Sequence, residues 1–350
     1  MVGQASVPVQ LPLHRSEQDS RLQPRQNRAP AILSASEQGQ PPRRGKRLCH
    51  RTFMKPVYPG FRVLVLCGLL SLPRGTACAA GSMNVSQELD AEYSYVGGVT
   101  THAFGKDVGS VSEQYGDIKY VLSPQVTKDL LLRFGFEWQR FSFGVSGNAP
   151  VPDALQQVSA VIGADYELTD QWLMRLEVQP GVYSEFSDVN WRNVDAPVVL
   201  GGVYLVDADL QWTFGLRVDL RSQYPVLPGI GVRWKFADAW TLDLIAPHPR
   251  LEYDVTDCLQ VYGGAAIEAG TFRVAEHFGS DHGRPKLDGA PVDYSEVRFG
   301  AGLSWKALPS LTVEAEAGCV PYREFDFFHE SAAIRSYTAP YGQIACHARF

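Results

Sequence analysis

The sequence predicts an all-β chain, a transmembrane antiparallel β-barrel of about fourteen strands, with twelve as the other open count, after a cleaved signal peptide. Three observations predict it. Polar and apolar residues alternate with a period of two along arms longer than soluble strands. Tight turns alternate with long connections. The chain ends on Phe350, with apolar residues at every second position before it. No stretch offers the ~18 apolar residues of a membrane helix, which a barrel does not need because its hydrophobicity is spread through the alternation.

The chain falls into three parts. Residues 1–53 carry Gln, Arg, Ser and Pro with little hydrophobic periodicity, a composition that favours disorder. Their basic run, Arg43, Arg44, Lys46, Arg47 and Arg51, has the look of a nucleic-acid tail. An export signal beginning at Met54 makes an upstream extension the better reading, with no nucleic-acid partner. In residues 54–79, Lys55 and Arg62 supply the positive flank, Val63 to Leu72 the apolar stretch, and Ala77-Cys78-Ala79 a small-residue cleavage site. Mature protein is expected to begin near Ala80. Residues 80–350 form the barrel. Before Ala80 there are 12 Lys+Arg against 3 Asp+Glu, which leaves 20 against 35 for the barrel.

The hairpin from Gln157 to Phe186 is the repeating unit. Val158, Ala160, Ile162, Ala164, Tyr166 and Leu168 share one face of its first arm. Gln157, Ser159, Gly163, Asp165 and Glu167 share the other, with Val161 as the apolar exception. On the second arm Trp172, Met174, Leu176, Val178 and Val182 oppose Arg175, Glu177, Gln179 and Glu185. Tilted arms of ~9–11 residues cross a bilayer.

Strands are expected near Glu88–Val99, Val111–Leu122, Leu130–Phe143, Gln157–Leu168, Trp172–Phe186, Val198–Val206, Leu210–Leu220, Gly229–Phe236, Trp240–Ile245, Leu251–Val255, Leu259–Val274, Tyr294–Trp305, Leu311–Val320 and Tyr341–Phe350. In the third, the phase slips between Trp138 and Phe141, which suggests a β-bulge. Tight turns fall at Thr169-Asp170, Asp207–Asp209, Ala237–Ala239, Thr256–Cys258 and Ala307–Ser310. Long loops fall at Thr100–Ser110, Gly144–Leu155, Ser187–Ala196, Ala275–Asp293 and Pro321–Pro340. Ala246–Arg250 breaks the rule, marking either a low corner of the rim or an overcount of two strands.

Alternation alone does not say which face is inside, because soluble barrels alternate too. Trp172, Trp212, Trp234, Trp240 and Trp305 lie on apolar faces close to the tight turns, as in an interfacial girdle. That sends the apolar face to lipid and the charged face to the lumen. Expected lumen residues include Arg133, Glu137, Arg175, Glu177, Arg217, Asp219, Arg233, Lys235, Glu296, Arg298, Glu314 and Glu316, and also Arg273. Of the cysteines, Cys258, Cys319 and Cys346 survive processing. They are odd in number, widely spaced and without a CxxC pair, so neither a disulfide framework nor a zinc site is expected.

Ile344, Cys346, Ala348 and the terminal Phe350 resemble the insertion signal of Gram-negative outer-membrane β-barrels, and residues 88–350 are similar in pattern to such barrels of unknown function. The resemblance implies an outer-membrane location, lipid as solvent, and insertion by the outer-membrane assembly machinery. It implies no substrate.

Chemistry is sparse. His277, Asp281, His282 and Asp288 in one loop, and Glu324, Asp326, His329 and Glu330 in another, have cation-ligand types, but ordinary polar loops explain them better. His347 has no serine tied to it by a local motif, and there is no P-loop or dinucleotide fingerprint. No catalytic residue, metal or cofactor is expected. The favoured reading is a small, passive, cation-preferring channel for small solutes. A plugged structural or adhesive barrel is the alternative, and an outer-membrane lipid-modifying enzyme the third.

Overall fold

The computed structural model describes residues 84–147 and 149–350. The expectations for residues 1–53 and for the signal peptide at 54–79 lie outside the described residues. The rest is one antiparallel sheet that closes on itself, because the first strand pairs with both the second and the last.

The sheet comprises fourteen strands. They are β1 (Val85–Ala103), β2 (Lys106–Pro124), β3 (Leu130–Gly147), β4 (Ala154–Thr169), β5 (Trp172–Val178 with Gly181–Ser184) and β6 (Val194–Asp195 with Val198–Leu205). Then come β7 (Leu210–Val218), β8 (Val226–Ala237), β9 (Trp240–Asp243) and β10 (Arg250–Thr256). β11 (Leu259–Arg273), β12 (Pro291–Leu308), β13 (Leu311–Phe327) and β14 (Ala332–Ser336 with Ala339–Arg349) complete it. β5 and β6 are interrupted at Pro180 and Pro197, which lack the N–H that a ladder needs.

Every expected strand is present, and the short Ala246–Arg250 segment is a low corner between β9 and β10. Two expected loops are instead strand. Thr100–Ser110 is a continuous hairpin turning on Phe104 and Gly105, both at positive φ (53° and 78°), as a two-residue turn requires. Pro321–Pro340 holds the upper arms of β13 and β14. The bulge expected in β3 is also absent: its register to β2 and β4 runs unbroken. What changes there is the environment. Up to Trp138, apolar side chains point outward and Arg133 and Glu137 inward. Above it, Arg140 and Ser142 point outward and Phe141 and Phe143 are buried inside. The strand leaves the apolar outer band, so the face that wants to be apolar switches sides while the backbone phase stays fixed. The register does shift in β13 around Pro321, and in β1 at Gly97-Gly98.

The outer face of the lower barrel is apolar and accessible: Phe134, Phe136, Val158, Ile162, Phe214, Ile230, Phe299, Leu303 and Ile344 are all exposed. Near the tight turns the girdle aromatics touch one another, with Trp172 against Tyr204 (4.8 Å between centroids) and Trp240 against Tyr253 (4.7 Å). Cys319 and Cys346 share this face as free thiols, in phase with Ala315 and Val313. Ile344 and Phe350 are exposed on it, whereas Ala348 is covered between Leu89 and Leu311. Leu216 and Arg217 give the cleanest test of the two faces. Leu216→Arg puts a charge into the apolar band and is expected to cost ~2–4 kcal/mol at mid-depth, whereas Arg217→Leu is expected to leave insertion intact. Equal membrane insertion of the two variants, read by heat-modifiable gel mobility, would contradict the assignment.

The barrel is lopsided. β9 has four residues and β10 seven, against 19 in β1 and β2. Above the low side, β5 reaches over to β11. Ser184 pairs in parallel with Arg273, and Glu185 N–H donates to the Arg273 carbonyl (3.2 Å). This seam narrows the loop end of the barrel.

Candidate functional site

The inner face carries three layers, set by how far each strand has risen from the turns. The lowest is polar and open. His347 Nδ1 lies 2.7 Å from Asp90 Oδ1, between the start of β1 and the end of β14, and both side chains are more than a third exposed. Glu88 contacts Arg133 (3.1 Å) just above.

The middle layer is a lattice of ion pairs. Arg133 also faces Asp165 (3.6 Å) and Glu177 (3.5 Å). Arg175 grips Asp165 with two parallel bonds of 2.6 and 2.7 Å, the fork geometry that makes arginine–carboxylate pairs strong. Lys119 bridges Glu137 (3.2 Å) and Glu177 (2.9 Å). Across the lumen, Arg233 pairs with Asp243 and Glu252, and Arg250 with Glu252 (2.7 Å) and Glu314 (3.3 Å). Glu316 accepts from the Tyr341 hydroxyl. Arg217 pairs with Asp219 (3.1 Å).

The centre of the lattice is Arg298, fully buried. Its guanidinium faces Glu296 (2.6 Å), Glu92 (3.5 Å) and Glu113 (3.7 Å), and donates to Gln343 (3.0 Å). Glu113 also faces Arg323 (3.4 Å) and accepts from the Tyr294 hydroxyl. Five strands, β1, β2, β12, β13 and β14, bring these groups together, and no local spacing in the sequence announces it.

The top layer is apolar. Tyr115, Phe141, Phe143, Tyr183, Phe272, Val292, Tyr294, Phe325, Phe327 and Ile334 fill the barrel under its loop end. Phe141 packs at a tilt against Tyr115 and Tyr294 (both 4.7 Å), and Phe143 meets Phe325 edge-on (4.9 Å). The β11–β12 loop adds Phe278, Leu287 and Ala290 to the same cluster. Between this plug and the ion pairs lies a belt of amides. Gln139 donates to the Tyr115 hydroxyl (3.0 Å), and Gln179 to Glu137 (3.1 Å). Two cavities here hold about 10 and 20 Å³, each room for about one water.

Of the twelve charged positions named from strand phase, all but Lys235 join the ion-pair and hydrogen-bond lattice. Lys235 is exposed at the turn-side end, beside the β6–β7 turn. Arg273 is a correction. It lies in outward phase on β11, opposite to Glu268, and its guanidinium donates to the carbonyls of Arg192 (3.2 Å) and Gly289. Sequence reading missed Arg323, which lies past the β13 bulge, and the neutral Gln139; Gln157 and Gln179 it placed on the polar face without a role.

Three members of the two loop clusters of possible cation ligands, Asp288, His282 and Glu324, are engaged internally. Asp288 accepts from the Ser280 hydroxyl and N–H, bonds that hold its carboxyl below the ordinary range, and His282 Nδ1 contacts the Phe278 carbonyl (2.7 Å). Glu324 accepts from Arg335 (2.7 Å) and Tyr322. Among the described residues no three His, Cys, Asp or Glu side chains form a metal-binding group.

A closed antiparallel sheet, apolar outside and ion-paired inside, defines a transmembrane β-barrel. The chain belongs to the DUF6268 family, a domain of unknown function whose model matches residues 129–336. No curated protein matches it. Among solved structures it is similar to the COG4313 outer membrane channel from Pseudomonas putida F1, at 10% identity and a TM-score of 0.41, covering 77% of this chain and 97% of that one. It is also similar to a FadL homologue of Pseudomonas aeruginosa (12% identity, TM-score 0.32, 76% and 90% covered). A TodX monoaromatic hydrocarbon channel mutant is a third (11%, 0.35, 77% and 91%).

Proposed function

We propose that the protein is a bacterial outer-membrane barrel whose resting lumen is a blind vestibule, open on the turn side and closed on the loop side. The observation that carries this is the sequence of layers. Exposure falls from 40% at the His347 side chain to 19% at Glu92 and 0% at Arg298, and Phe141 and Phe325 above them are also at 0%. Such a plug has no polar path for an ion, and ions do not cross a packed apolar core. The tight turns, the start of β1 and the end of β14 lie on the vestibule side, which in this class of barrel faces the periplasm.

The same site supports a cation-preferring channel when the plug moves. Asp117 points inward beside Lys119, is nearly buried, and its Oδ1 has no hydrogen-bond partner. Acidic surplus in a narrow lumen attracts cations and repels anions. Planar-bilayer recording tests both statements. The native protein is expected to be silent or to open rarely, and any openings in a salt gradient should reverse toward the cation potential. Steady conductance would reject the closed resting state, and anion selectivity would reject the charge argument.

A further inference from the structure

We propose that three arginines at the loop-side rim, Arg192, Arg221 and Arg273, form a docking site for the phosphate of a lipid headgroup in the outer leaflet. This rests on the outer-membrane reading above. The three come from separate parts of the chain: the β5–β6 connection, the β7–β8 connection and the top of β11. Two of them converge on the backbone oxygen of the third. Arg221 Nη1 and Arg273 Nε (3.2 Å) both donate to the carbonyl of Arg192. Arg273 gives a second bond to the Gly289 carbonyl.

Their positive charge is poorly answered. The only carboxylates in ion-pair range among the described residues are Glu276, 3.9 Å from Arg192, and Asp195, 4.0 Å from Arg221, both beyond hydrogen-bond distance. Arg192 and Arg221 keep accessible side chains. Two guanidinium groups held by neutral carbonyls, beside a third that has only a long contact with Glu276, are a pre-built anion receptor, since a phosphate oxygen offers the charge-assisted acceptor that the carbonyls do not.

Position selects a lipid over a soluble anion. On β6, β7 and β8 the outward apolar run climbs from Tyr204, Trp212 and Trp234 to Val194, Leu220 and Val226, where those strands end. Trp191 (78% exposed) and Leu220 (81%) immediately flank Arg192 and Arg221, with Tyr224 close by in the chain and also exposed. Aromatic residues at the end of an apolar band mark the headgroup level. The arginines therefore sit where a headgroup phosphate lies, and Trp191 and Leu220 where its acyl chains begin.

The test uses the full chain folded into phosphatidylcholine vesicles, with insertion scored by heat-modifiable gel mobility and binding by retention of labelled bisphosphorylated lipid A. Saturable binding is expected. R192Q/R221Q/R273Q should weaken it about tenfold or more, and K128Q on the turn side should leave it unchanged. Dephosphorylated lipid should bind no better to the native protein than to the triple variant, and millimolar inorganic phosphate should not displace the lipid. If the triple variant does not fold, R192Q alone decides, because among the described residues the only ion-pair contact of the Arg192 side chain is the 3.9 Å one with Glu276. It should still weaken binding severalfold. Equal binding by the arginine variants, or full displacement by inorganic phosphate, overturns the proposal. Failure of the native chain to insert overturns the membrane reading instead.

Discussion

Arg298→Met is expected to destabilise the barrel by about 3–5 kcal/mol, the cost of leaving buried carboxylates without their cation. Glu296, Glu92 and Glu113 all face this one guanidinium, at 2.6, 3.5 and 3.7 Å. Among the described residues, only Glu113 of these three has a second arginine, Arg323, within 4 Å. Methionine matches the length of the arginine stem and cannot answer any of the three charges. Urea unfolding of the protein in vesicles, followed by gel mobility, measures the loss. Adding Glu296→Gln to Arg298→Met should recover part of it, because one of the stranded charges then disappears. A single-variant loss below about 1 kcal/mol would mean that these carboxylates are hydrated or protonated and that the lattice is not what holds the lumen shut.

Phe325→Ala is expected to cost about 3–5 kcal/mol and to turn a silent barrel into a leaky one. Phe325 is fully buried between Phe143 (4.9 Å) and Tyr294 (5.0 Å), directly above the Glu113–Arg323 pair. Its removal opens a void in the plug where water meets charged groups below. The predicted sign is opposite in two measurements, stability down and single-channel open probability up. Stability lost with no gain in conductance would place the barrier elsewhere, in the seam of Ser184 and Arg273. The outward-facing Phe299→Ala serves as the control. It sits in the apolar band, exposed, and should change neither open probability nor selectivity.

Strand count and direction, and most of the inside–outside assignment, were legible in the sequence because a β-strand writes its environment into alternate residues. Leu216 beside Arg217 and Val297 beside Arg298 state their faces within two positions. The five tryptophans near the tight turns then distinguished a membrane barrel from a soluble one. The same signal misled where the environment inverted. Trp138 to Phe141 read as a bulge because apolar residues changed sides, and the hairpin arms at 100–110 and 321–340 read as loops for the same reason.

The layering of the lumen belonged to tertiary structure alone. Arg298, Glu92, Glu113 and Arg323 lie on four strands, and only the register of β1, β2, β12 and β13 makes them neighbours. The plug depends on β5 crossing to β11 over the short β9–β10 corner, a contact between residues 184 and 273 that leaves no local trace. Alternation reports which way a side chain points, which is a property of each strand. Whether the space it points into is open or filled depends on how far apart the opposite walls stand, and that is fixed only when the sheet closes.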